Sequence, residues 1–206
     1  MENMMNIKML KMFSAGVVLG ISSLANAVII YDVQNSELFG ASGIVVNGLT
    51  YSVSFVDGTC EQTFGTCELS KFTFQTEESA LTASQALLDQ VFLDDGYMFD
   101  SVPTKTNGCE STSSECGVNT PYGINSNLNT VVSAAAINDV PTGVDLAIPG
   151  GNTSLDLDFT DVAFVVWALW TLDADDGLTT VPEPSSLAIC ALGLMGLGFR
   201  RFKKQA

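Results

Sequence analysis

The chain has 206 residues, 47% of them hydrophobic and 15% charged, with 23 acids against eight bases, five cysteines and no histidine. That length suits one modest domain able to bury a core. The missing histidine removes Ser-His-Asp and Cys-His catalysis and every His-ligated metal site.

Lys8 and Lys11 precede an apolar run from Met12 to Ile21, and Leu24-Ala25-Asn26-Ala27 follows. A basic start, a short apolar stretch and small residues at Ala25 and Ala27 make the pattern that signal peptidase cleaves, with Val28 as the mature start. The run is short for a membrane span. Residues 1–27 are therefore expected to be a cleaved leader.

Between the leader and the tail, residues 28–181 hold 21 acids and only Lys71 and Lys105 as bases, a net charge of −19, with no arginine. Nucleic acid is a poor partner for such a surface, because phosphate binding needs clustered Lys or Arg. Residues 28–172 read as one β-rich domain, and residues 173–181 as an acidic linker.

In chain order, Ile44-Val45-Val46 and Leu49 to Phe55 flank Asn47-Gly48, the strongest short hairpin signal. Tyr51, Val53 and Phe55 alternate with polar residues, which gives the second strand one apolar face. Phe72 and Phe74 alternate in the same way. A helix is expected over Glu77 to Phe92, where Ala80, Ala83, Leu87 and Val91 recur at helical spacing. Thr76 is its cap, and Glu77 and Glu78 suit the positive end of its dipole. Residues 107–129 are rich in Ser, Thr, Asn and Gly and read as a long loop or a short-stranded excursion. Leu155, Leu157 and Phe159 alternate as a strand with one wet face. Ala163 to Leu172 is almost wholly apolar and reads as a buried strand. The sum is a mainly β fold: an antiparallel β-sandwich or sheet with one packed α-helix, flanked by an N-terminal signal helix and a C-terminal membrane helix.

Cys60, Cys67, Cys109 and Cys116 form two pairs with the same six-residue gap, and Cys190 lies in the tail. An even number in an exported body reads as disulfides. Four cysteines allow three connectivities; the local pairs are favoured because each gap holds glycine or loop-forming polar residues. Each closed loop is worth roughly 2.5 kcal/mol on chain-entropy grounds. A metal site is the rival, but the short C-x₂₋₄-C spacing is missing.

No residue set announces catalysis, and the expectation is a protein that is not an enzyme. A glycosidase needs only two carboxylates, yet with so many acids a candidate pair carries no information. No cofactor is called for. Calcium is the alternative, at Asp94 and Asp95 beside the helix end or at Asp173 and Asp175 in Asp173-Ala174-Asp175-Asp176-Gly177, which lacks the full ligand pattern of a calcium loop. Tyr97, Tyr122, Trp167 and Trp170 are candidate sugar platforms, the tryptophans fitting a core better.

The tail is the most informative segment. Pro182-Glu183-Pro184 is followed by an apolar run over residues 187–199 and a basic cluster, Arg200, Arg201, Lys203 and Lys204. Basic residues after an apolar stretch stay on the cytoplasmic side, so the body would lie outside the inner membrane. Thirteen helical residues reach only about 20 Å against a hydrocarbon core of about 30 Å, a marginal span suited to removal. This tripartite segment, residues 182–206, resembles the PEP-CTERM sorting segment of bacteria that make extracellular polysaccharide. The resemblance implies processing by exosortase, a membrane-embedded transpeptidase-like enzyme, near the Pro-Glu-Pro. The stretch Val53 to Cys60 with Cys67, together with Ser84 to Gln90, is similar to exported domains found upstream of such tails, for which it implies no chemistry. The expected protein is exported. Its partners are signal peptidase, an exosortase-type enzyme and extracellular polysaccharide, its inner-membrane association is transient, and its ectodomain is structural or adhesive.

Overall fold

The computed structural model describes residues 28–110 and 113–173. The expected signal helix and its cleavage site, the sorting segment, its membrane helix and basic cluster, and Asp175 lie outside the described residues. The chain divides after Leu172, and the elements below belong to the first unit.

Strands β1 (Ile30–Gln34), β2 (Glu37–Val46), β3 (Leu49–Val56), β4 (Glu115–Asn125), β5 (Thr130–Asp139), β6 (Leu146–Ser154) and β7 (Val165–Leu172) form one sheet in the order β1-β2-β3-β7-β4-β5-β6. Two antiparallel meanders, β1-β2-β3 and β4-β5-β6, are joined through β7. The last strand runs antiparallel to β3 and parallel to β4. The fold is thus mainly β, but the sheet is mixed and single where an antiparallel sandwich or sheet was expected. The reason lies in β7: with Trp167 on one face and Val166, Ala168 and Trp170 on the other, it is apolar on both sides. Such a strand is best placed in the middle of a sheet, covered on both faces.

One face packs under helix α2 (Glu77–Gln90), where Ala80, Ala83 and Leu87 share one buried core with Val53, Phe55, Val118, Ala134, Ala136 and Trp170. Thr76 caps this helix, accepting from the Ser79 N–H at 3.2 Å, with Glu77 and Glu78 in the first turn. At the other end Gln90 clamps β2: its Oε1 accepts from the Val45 N–H at 3.0 Å and its Nε2 donates to the Val45 carbonyl at 2.9 Å. The opposite face carries a smaller core in which Phe159 stacks on Trp167 at 4.3 Å and Phe64 and Phe72 close the rim. Short helix α1 (Cys60–Phe64) lies there, held by a Thr59–Gln62 capping box.

The Asn47-Gly48 hairpin is present, with both residues at positive φ (51° and 80°) as a type I′ turn requires. Several expectations need correction. Phe72 and Phe74 are not in a strand; both are buried, but in different cores. Eleven residues of the 107–129 stretch expected as a long loop or short-stranded excursion form strand β4, in which Cys116, Val118 and Thr120 are buried. The strand expected around Leu155 to Phe159 is not formed: β6 ends at Ser154, and a turn and a 3₁₀ turn at Phe159–Asp161 follow it.

Candidate functional site

Two features of the body are built well enough to bear on function: an acidic pocket at the end of β3, and an aromatic loop after α2. The pocket begins where β3 turns at Asp57-Gly58. The Gly58 carbonyl accepts from Trp167 Nε1 at 3.0 Å and from the Phe159 N–H at 3.2 Å, so this turn is fixed to the core. Across from it, Asn107 donates through Nδ2 to the Phe55 carbonyl at 2.9 Å and through its N–H to the Leu38 carbonyl at 2.9 Å. Gly108 follows at φ +85°, and a Cβ there would lie 2.4 Å from Asp57 Oδ1. Only glycine allows the carboxyl group this close to the backbone. Cys109, bonded to Cys116, and the Glu110 N–H, donating to the Ala163 carbonyl at 2.8 Å, hold the far wall.

The resulting cavity has a volume of about 420 Å³ and is lined by Glu37, Asp57, Thr104, Asn107, Glu110 and Thr160, among others. Asp57 Oδ1 is buried with no hydrogen-bond partner. Burial, and then the nearby Asp158 and Glu110 carboxylates, push the Asp57 carboxyl group above its ordinary range. Asp158 is held below that range by the side chain and N–H of Thr160. Two neighbouring carboxyl groups are thereby separated in acidity.

The aromatic loop spans residues 94–101. Asp94 accepts from the Ser101 N–H at 2.9 Å and from its hydroxyl, which holds the Asp94 carboxyl below its usual range. Lys105 Nζ donates to the Tyr97 carbonyl at 2.6 Å. The Tyr97 ring lies parallel to that of Phe99, 9° and 5.2 Å apart, with Tyr31 edge-on at 5.9 Å. Met98 stands at φ +63°.

The sequence-derived candidates fall into place as follows. Cys60–Cys67 and Cys109–Cys116 are disulfides, with Cα separations of 5.5 and 5.8 Å. Asp94 and Asp95 sit on the aromatic loop, and Asp173 directly follows β7. Among the described residues, no three His, Cys, Asp or Glu side chains converge so as to hold a metal ion. Trp167 and Trp170 are core residues; Tyr122 is half-buried and donates to Glu77 at 3.0 Å; Tyr97 is exposed. Sequence reasoning missed the pocket acids Glu37, Asp57 and Glu110. The available signal was a glycine beside each wall, Asp57-Gly58 and Asn107-Gly108 next to Cys109.

Comparison with known families decides the tail. Residues 180–203 match the family model of the PEP-CTERM protein-sorting motif. The chain carries a PEP-CTERM sorting signal. This motif marks a protein for export and surface sorting through processing by exosortase, and the match covers the tail alone. No curated protein and no solved structure matches the chain. Among the described residues, no helix is long and apolar enough to cross a membrane.

Proposed function

We propose that the protein is an exported precursor whose leader is removed by signal peptidase at Ala27. Its body is then tethered outside the inner membrane by residues 187–199 until exosortase acts near Pro182. The released body works at the cell surface or in the extracellular matrix as a structural or adhesive component, without catalysis. The PEP-CTERM motif carries the sorting part of this reading. Two features support it: both disulfides close short local loops, which suits an oxidising compartment, and the −19 body resists self-association and binding to anionic surfaces.

Truncation after Val181 tests the sorting step. The shortened chain is expected to leave the surface and matrix fractions and to accumulate in the periplasm, as seen by fractionation and immunoblotting. Unchanged localisation would remove the tail from the account.

The exposed Tyr97 ring favours a second reading for the body, a polysaccharide-binding module. A calcium-binding module has less support, because Asp94 is already engaged by Ser101. A carboxylate-dependent glycosidase ranks third; degradation of the cell's own polymer by the purified body would establish it.

A further inference from the structure

The loop between α2 and β4 presents large apolar side chains to solvent at an energetic cost. Tyr97 is 44% exposed and Met98 50% exposed. Met98 adopts a left-handed backbone that side-chain-bearing residues rarely take. Conformations of this kind persist where the surroundings enforce them, and they concentrate at functional sites. Here the enforcement is visible: Ser101 holds Asp94, Lys105 holds the Tyr97 carbonyl, and Phe99 anchors the loop in the core.

The ring geometry shows which face of Tyr97 has no ring stacked on it among the described residues. Tyr97 and Phe99 are parallel, and Tyr31 lies 5.9 Å from one and 5.6 Å from the other. A ring nearly equidistant from two stacked partners sits at their side, so it does not cover the outer face of Tyr97. Tyr97 thus has one face stacked on Phe99, no ring stacked on the other among the described residues, and 44% of its surface exposed.

We propose that the outer face of Tyr97 is a stacking platform for an uncharged sugar ring of a polysaccharide, with Asp95, two residues before it on the same loop, accepting hydroxyl hydrogens. A sugar ring offers a flat C–H face to an aromatic ring and a hydroxyl edge to carboxylates, which matches one aromatic ring bordered by acids. The core of a protein–protein interface is larger and depleted of charge, and this platform has Asp94 and Asp95 immediately before it. Polyanionic chains are repelled by a body with 21 acids and two bases. The platform rests on the reading of the body as a polysaccharide-binding module and gives that reading a site and a ligand class.

Native affinity electrophoresis of the purified mature body tests it, in gels containing hydroxyethyl cellulose, dextran or galactomannan, with alginate as the anionic control. Retardation is expected in at least one neutral polymer and not in alginate. Tyr97→Ala and Tyr97→Leu are expected to weaken it about tenfold, the order that one aromatic contact supplies, while Tyr97→Trp keeps it. Tyr97→Leu still covers Phe99 without a π face, so it separates stacking from loss of fold; thermal melting of each variant checks that the fold is intact. Retention by the wild type that is unchanged in both Ala and Leu variants overturns the platform and leaves the binding-module reading standing. No retention in any neutral polymer, or retention in alginate alone, overturns both.

Discussion

At the scale of single residues, Asp57 is a heavily constrained acid. One of its oxygens is buried against Gly108 without a donor, and two further carboxylates face the same space. Its raised pKa means that the folded state holds this proton more tightly than the unfolded chain does. The ionised form is therefore penalised on folding, and stability is lost as pH rises from the ordinary carboxylate range through the folded value. Asp57→Asn removes that penalty. Its expected effect at pH 7 is a gain of roughly 1 kcal/mol, from removing a partly desolvated charge that two carboxylates repel, kept small because the residue is only half-buried. The gain should shrink to nothing at pH 3, where both states are protonated. Urea titrations at the two pH values check this, and equal stability at pH 7 would contradict it. In the sequence only the glycines beside its walls marked the pocket, and its acids did not stand out for a plain reason. Glu37, Asp57 and Glu110 are far apart along the chain, and in a body with so many acids no spacing distinguishes these three. By contrast, the cysteines were legible because their partners are local.

At the scale of elements, legibility followed how far each segment depends on its neighbours. Helix α2 shows its own cap, its own dipole-matched acids and its own apolar stripe, and it forms where expected, ending two residues early at Gln90. The Asn47-Gly48 turn carries its own backbone preference. β7 is apolar enough to demand burial on both faces. Strands β4, β5 and β6 have no such local signature. β4 contains Gly117, Asn119, Pro121 and Gly123, and β5 contains Ala134-Ala135-Ala136, all poor strand formers. They are strands because β7 and each other complete their hydrogen bonding. β6 tolerates Pro149 as an edge strand. Gly150 is needed because a Cβ there would meet the Ser133 carbonyl oxygen at 2.1 Å. The Cys109–Cys116 disulfide ties the pocket wall to the start of β4, so its loss acts on both. Replacing both cysteines with alanine is expected to cost about 2.5 kcal/mol, from the entropy of a short closed loop. The same replacement should speed hydrogen exchange at Glu110 and Gly117, whose N–H groups bond to Ala163 and Phe164. Unchanged stability and exchange would show that the wall holds without the disulfide.

At the scale of the whole molecule, the parts agree on a chain made for the outside of the cell. The proposed leader ending at Ala27, a body with two bases and two disulfides, and a PEP-CTERM motif over residues 180–203 form one sequence of addresses around a folded domain. The intact mass of the native protein, recovered from the surface or matrix fraction, reads this most directly. The expected species begins at Val28, ends near Pro182 without the apolar run and basic cluster, and has no free thiol in its body. A full-length chain recovered from the cytosol, with Met1 and Ala206 both in place and all five thiols free, would contradict it.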